Sequence, residues 1–153
     1  MIAVIQRVNS AAVIADGLPS GSIGKGLYIL LGVERDDSPK DAELLATKIS
    51  KLRIFTDENG KMNLSVRDVE GEIMVVSNFT LCANYAHGNR PDYLAAAAPD
   101  TANKLYEHFK GLIISSLGKC ESGVFGADMR TEMSTDGPVT IVMRSSVLSG
   151  GHA

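Results

Sequence analysis

The residues able to do chemistry are few, and most of them are small. Ser77 and Thr80 stand in SNFTL at the end of an apolar run, and Asp136-Gly137-Pro138 precedes the run Val139–Met143. Thr80 is a candidate nucleophile, but a hydroxyl needs an activating base, and no histidine neighbours it in the sequence. The competing reading of Ser77 and Thr80 is strand polarity satisfied by cross-strand hydrogen bonds. Gly137-Pro138 likewise has two readings. Proline suits the first residue of a strand, or the pair's backbone acts on a substrate.

The rest of the inventory is thin. His87, His108 and His152 share no ligand spacing. His87, in YAHGNRP, is the one in a loop of functional character, and even there it reads as loop surface ahead of catalysis, whereas His108 reads as a helix residue and His152 as tail. Asp57-Glu58 reads as solvated charge beside a turn. A GxSxG elbow, a Walker loop, GxGxxG and HExxH are all missing from the chain. Cys82 and Cys120 have neither CxxC nor zinc-type spacing. They read as small buried hydrophobes in a reducing cytoplasm.

The elements that must position these groups are legible from periodicity. Ile2–Val8 and Ala11–Ala15 read as strands, with a turn signal at Asp16-Gly17. Leu27–Val33 is a continuous apolar strand, of the kind buried on both faces. Ser38, Pro39 and Asp41 form a capping-box-like helix start. Ala42, Leu45, Ile49 and Leu52 then follow at helical spacing. Arg53–Phe55 reads as a short strand before a turn at Asn59-Gly60. Glu72–Leu81 is the clearest strand, with Ile73, Val75, Ser77, Phe79 and Leu81 on one face and Met74, Val76, Asn78 and Thr80 on the other. A second helix is expected from about Thr101 to Leu117, with the stripe Leu105, Phe109, Leu112 and Ser116 and a cap at Gly118. Cys120–Phe125, Met129–Met133 and Val139–Met143 complete the strands.

Many strands and two long helices imply an α+β fold with a mainly antiparallel, barrel-like sheet. Residues 1–145 are expected to form a single domain and 146–153 a flexible tail. At 153 residues, such a chain buries roughly 70% of its unfolded surface without disulfide or metal staples. Leu27–Val33 is far short of the ~20 residues a membrane span needs. The start MIAVIQRV lacks a basic n-region, so no signal peptide is expected and the location is cytoplasmic. A net charge of −3 argues against nonspecific coating of nucleic acid, whose affinity comes from phosphate neutralisation.

Motifs along the chain resemble the D-aminoacyl-tRNA deacylases (D-tyrosyl-tRNA deacylase family). They are QRV at Gln6–Val8, LLGV at Leu30–Val33, KMNLS at Lys61–Ser65, VVSNFTL at Val75–Leu81, GNRPDY at Gly88–Tyr93, GVFGADM at Gly123–Met129 and DGPVTI at Asp136–Ile141. The resemblance implies hydrolysis of the ester between a D-amino acid and the terminal adenosine of tRNA, with glycyl-tRNA as a further substrate. It implies a homodimer in which TDGPVT, Thr135 to Thr140, reaches the partner's site. A cis Gly137-Pro138 bond would aim two carbonyls at the substrate's α-amino group and exclude L side chains, and Arg7 would hold that loop in place across the dimer. Ser77, Asn78, Phe79 and Thr80 would form the catalytic wall, with an oxyanion-binding N–H at Phe79 or Thr80. The tRNA's own 2′-hydroxyl would assist, ahead of Thr80 as covalent nucleophile. Phe125, Gly126, Ala127 and Met129 would line the adenine pocket. No cofactor, metal or membrane partner is implied.

Two positions depart from the family's pattern. Asn78 stands where Gln is usual, and Thr135 where Asn is usual, which puts the bracing of the Gly-Pro loop in question. Lys48, Lys51 and Arg90 are candidate phosphate contacts, although each reads first as plain surface charge. The rival from another class is a noncatalytic β-rich dimerisation or tRNA-binding module.

Overall fold

The computed structural model describes residues 1–150. Ile2–Ala15 is one strand (β1) where the pattern suggests two, because Asn9 and Ser10 stay extended with exposed side chains. β2 (Leu18–Ile23) and β3 (Gly26–Gly32) then pair in succession along a single edge of β1. Ala11 lies opposite Ile23, and Val8 opposite Gly26.

α1 (Pro39–Ser50) starts as its capping residues dictate, with Asp41 Oδ2 accepting from Ser38 N at 2.9 Å. Leu52 lies past its end and packs on the core from the next segment. β4 (Phe55–Thr56) and β5 (Met62–Leu64) form a separate small sheet around the Asn59-Gly60 turn. The strand expected at Arg53–Phe55 is thus displaced toward Thr56.

β6 (Glu72–Ser77) is shorter than the expected Glu72–Leu81, and Phe79–Cys82 coils into one 3-10 turn. The cause is local. The Asn78 side chain accepts from Thr80 N, offering the backbone an alternative to the ladder. α2 (Pro99–Leu117) begins slightly ahead of expectation and ends on Gly118, whose φ of 86° is left-handed. Its buried stripe takes in Tyr106 and Ile113 as well as Leu105 and Phe109, while Ser116 sits only at the rim. β7 keeps only Glu121–Ser122 of the expected Cys120–Phe125 strand. β8 (Met129–Arg144) joins the two expected terminal strands into one. Ser145–Ser149 forms a short helix (α3) that runs from the last residue of the expected domain into the expected tail, whose residues 151–153, His152 among them, lie outside the described residues.

The sheet is mixed. β1 pairs antiparallel with β2, β3 and β8, and β3, β6 and β7 run parallel. It curls nearly shut, and Ser20 Oγ donates to Ser122 O at 2.9 Å between β2 and β7. The expected α+β, barrel-like architecture holds. Two apolar layers result. Val8, Val13, Tyr28, Met74 and Val76 pack together on one side of the sheet. Ile5, Ile29, Ile73 and Val75 pack beneath α1 and α2 on the other. Both faces of β6 are therefore buried, which is why its sequence runs apolar without a polar face. The far edge of β8 pairs with no strand among the described residues.

Candidate active site

The strand end at Ser77 opens into a cleft of 520 Å³. Ser77, Asn78 and Phe79 form one wall, and Phe125, Gly126, Ala127 and Met129 the other. The structure thus joins two groups of residues far apart in sequence. Phe125 and Met129 each pack against the core and line the cleft. Phe125 rests on the helix-side core, with its ring 5.9 Å from Tyr106, and Met129 on the opposite layer. Each presents its remaining surface to the cleft. Tyr106 is anchored in turn by donating to Val75 O at 3.0 Å.

Sequence reasoning missed part of this wall. Tyr93, Ala96, Ala97, Pro99 and Ala102 also line the cleft. Tyr93 meets the Phe79 ring edge-on, with centroids 5.0 Å apart at 74°, a favoured aromatic geometry. Phe79 itself is 58% exposed. The signal for Tyr93 was present in GNRPDY, but nothing local tied that loop to SNFTL.

The 3-10 turn orders the polar atoms. Asn78 Oδ1 accepts from Thr80 N at 3.2 Å and from the Thr80 hydroxyl. Both Thr80 donors are therefore engaged within the turn. The Phe79 N–H meets no intramolecular acceptor among the described residues. Thr80 stands on the turn but outside the cleft lining. Among the described residues the Thr80 hydroxyl hydrogen-bonds only to Asn78, and to no basic side chain.

Arg7, Thr135, Gly137 and Pro138 assemble elsewhere on the same chain. In the β1–β8 ladder Gln6 opposes Thr140 and Val8 opposes Thr135, so Asp136 to Val139 bulge out opposite Arg7 alone. Arg7, only 7% exposed, fills the mouth of this bulge. Its Nη1 donates to Ile54 O at 2.6 Å, its Nε donates to Asp136 O at 3.2 Å, and Asp136 Oδ2 lies 3.0 Å from the same nitrogen. Within its own chain the loop is thus tied to β1 by the buried Arg7 and by Asp136. Gly137 and Pro138 are exposed at the tip, and their peptide bond is cis. Gly137 adopts φ 132°, and a Cβ there would stand 2.7 Å from Val139 N. Only glycine fits. None of these loop residues lines the cleft of its own chain.

The other titratable groups singled out from the sequence lie outside the cleft lining. Cys82 is buried, and burial raises its thiol above the usual range; burial pushes the Cys120 thiol up to about 11. Neither is a thiolate near neutral pH. His108 Nε2 lies 3.7 Å from Glu43 between the two long helices, and His87 is exposed in its loop. Lys48, Lys51 and Arg90 are all exposed. Among the described residues no helix is long and apolar enough to cross a membrane.

The model of the D-Tyr-tRNA(Tyr) deacylase family matches residues 4–144. The D-aminoacyl-tRNA deacylase of Anaeromyxobacter dehalogenans is 51% identical over 145 residues, covering 95% of this chain and 97% of that protein. That of Akkermansia muciniphila is 52% identical over 143 residues, with 93% and 95% covered. Among solved structures, the c-Myc DNA Unwinding Element Binding Protein superposes with a TM-score of 0.88 at 38% identity, over 94% of this chain and 98% of that one. A structure described as a probable eukaryotic D-amino acid tRNA deacylase shares the fold, with a TM-score of 0.76 at 17% identity over 93% and 97% of the two chains.

Fold, cleft and these matches together define a hydrolase of the aminoacyl-tRNA deacylase class. The chain belongs to the D-Tyr-tRNA(Tyr) deacylase family.

Proposed function

We propose that the cleft beside Ser77–Phe79 receives the 3′ terminal aminoacyl-adenosine of D-aminoacyl-tRNA, and of glycyl-tRNA. The adenine lies against Phe125, Gly126, Ala127 and Met129, and the acyl ester lies at the Phe79 turn. Water adds to the ester carbonyl. The Phe79 N–H, the donor the turn leaves free, meets the developing oxyanion. The bond between the carbonyl carbon and the 3′ oxygen then breaks, that oxygen takes a proton, and a free D-amino acid and tRNA depart. The vicinal 2′-hydroxyl of the tRNA assists proton transfer, which suits a turn whose own hydroxyl is engaged by Asn78.

Stereochemical choice comes from a second copy of the chain. The Gly137 and Pro138 carbonyls of a partner accept the α-amino group and leave no room for an L side chain. Two features support an intermolecular arrangement: the loop tip lies outside its own cleft, and the unpaired edge of β8 exposes Met133 and Val142. A long exposed edge strand is a template for pairing with another chain. The enzyme acts in the cytoplasm, where charged tRNA is handled.

The observation that carries this reading is the meeting of SNFTL and GVFGADM in one aromatic cleft. Incubation of the pure protein with D-Tyr-tRNA and L-Tyr-tRNA tests it. Release of D-Tyr with L-Tyr-tRNA spared is expected. Equal rates, or no turnover of the D-form, refute it.

A further inference from the structure

Between the Phe79 turn and α2 the chain forms a loop closed at its neck. Asn84 N donates to Asp92 O at 2.8 Å, and Asp92 N to Asn84 O at 2.9 Å. Asn84 Nδ2 also donates to Asp92 Oδ2 at 3.0 Å. The remaining side-chain oxygens serve the same neck, where Asn84 Oδ1 accepts from Ala86 N and Asp92 Oδ1 from Leu94 N. The Asp92 carboxylate is thereby engaged by the loop's own N–H groups.

Beyond the neck, every residue from Tyr85 to Pro91 is exposed. Tyr85 is 78% exposed, an aromatic ring with almost no packing. Arg90 belongs to no ion pair among the described residues. The neck runs straight into the cleft, since Tyr93, next after Asp92, is the ring set edge-on against Phe79. An open ring and an unpaired guanidinium therefore stand on a locked loop at the rim of the site. That pairing of a stacking platform with a cation is how proteins hold single-stranded nucleic acid. A chain of net charge −3 cannot draw on general attraction to phosphate, so local contacts must do this.

We propose that the Tyr85–Arg90 loop docks the single-stranded 3′ end of the substrate tRNA, with Tyr85 stacked on a base upstream of the terminal adenosine and Arg90 on a backbone phosphate. The inference rests on the deacylase reading of the adjoining cleft. It separates two tasks: the cleft handles the terminal nucleoside, and the loop handles the nucleotides before it.

The test compares D-Tyr-tRNA with the D-tyrosyl ester of adenosine, which lacks those nucleotides. Tyr85→Ala raises KM for D-Tyr-tRNA about 10-fold or more while kcat holds, and Tyr85→Phe restores it. Arg90→Ala raises KM and lowers the slope of log affinity against log salt by about 0.7. Both variants hydrolyse the adenosine ester at the wild-type rate. An unchanged KM for D-Tyr-tRNA overturns the proposal. So does an equal loss on both substrates, which would make the loop a support for the cleft. Filter binding of uncharged tRNA reads the loop without turnover. If the wild type hydrolyses neither substrate, the deacylase reading falls. Weaker tRNA binding by Tyr85→Ala then still supports the loop contact, and unchanged binding overturns it.

Discussion

Arg7→Ala should cost both stability and stereochemical discrimination, and the two effects have separate structural sources. The guanidinium is buried and spans Ile54 O, Asp136 O and the Asp136 carboxylate. Truncation orphans the buried Ile54 carbonyl, at about 1–3 kcal/mol. The Asp136 carboxylate is 38% exposed, so its ion pair adds only about 0–1 kcal/mol. Loss of the packed aliphatic stem adds further, and the sum is about 2–4 kcal/mol, measurable by urea unfolding near neutral pH. Asp136→Asn leaves the Asp136 carbonyl and Ile54 contacts in place and should lose no more than about 1 kcal/mol. Arg7→Lys falls between them, because one ammonium cannot reproduce the planar fork. The activity assay is the ratio of D-Tyr-tRNA to L-Tyr-tRNA hydrolysis, run well below the variant's Tm. In Arg7→Ala the ratio should fall at least tenfold, because the Gly137-Pro138 tip loses its anchor to β1. An Arg7→Ala protein within about 1 kcal/mol of wild type, with its D/L ratio intact, would refute the bracing argument.

Other perturbations probe the remaining parts. Thr80→Ala should retain most of the D-Tyr-tRNA hydrolysis, since the hydroxyl serves Asn78 within the turn; complete loss with intact folding and intact tRNA binding, measured by kinetics and filter binding, would instead assign it as nucleophile. Gly137→Ala places a Cβ 2.7 Å from Val139 N at a φ that L residues rarely adopt, so the loop must shift at a strain of about 1–3 kcal/mol; the D/L ratio should collapse while the circular dichroism spectrum stays that of the wild type. Acid should weaken the fold partly through Glu72. Its carboxylate accepts from Gly24 N at 2.7 Å and pairs with Lys119, which holds it below its ordinary value of 4.5. A lowered folded pKa means that this stabilisation is present above about pH 4.5 and is lost as pH falls through the folded value. Urea midpoints should therefore decline below about pH 4.5, and Glu72→Gln should flatten part of that decline.

The sequence by itself determined the elements whose causes are local. Ser38, Pro39 and Asp41 start α1 and Gly118 ends α2, because caps satisfy backbone groups within a turn of their own position. The double-sided apolar run of β3 and the α+β class followed from periodicity, and the ordered motifs pointed to the family and to the SNFTL and GVFGADM segments. Local pattern failed where two conformations compete at short range. Apolar alternation carried the β6 expectation on to Leu81, but the Asn78 side chain captures Thr80 N and turns the chain at Ser77. It failed again at Met129–Arg144, where Gly-Pro reads as a break between strands. The partner strand β1 keeps both halves in one ladder and tolerates a bulge opposite Arg7.

Long-range placement was decided by tertiary structure alone. Tyr93 joins Phe79, and Phe125 and Met129 close the cleft, only because the sheet curls and α2 docks across it. The brace for Gly137-Pro138 likewise depends on distant residues, since Ile54, Arg7 and Asp136 meet only once β1 and β8 are paired. Spacing along a chain records what neighbours require of one another, whereas a site assembled across strands depends on register, which no single segment carries.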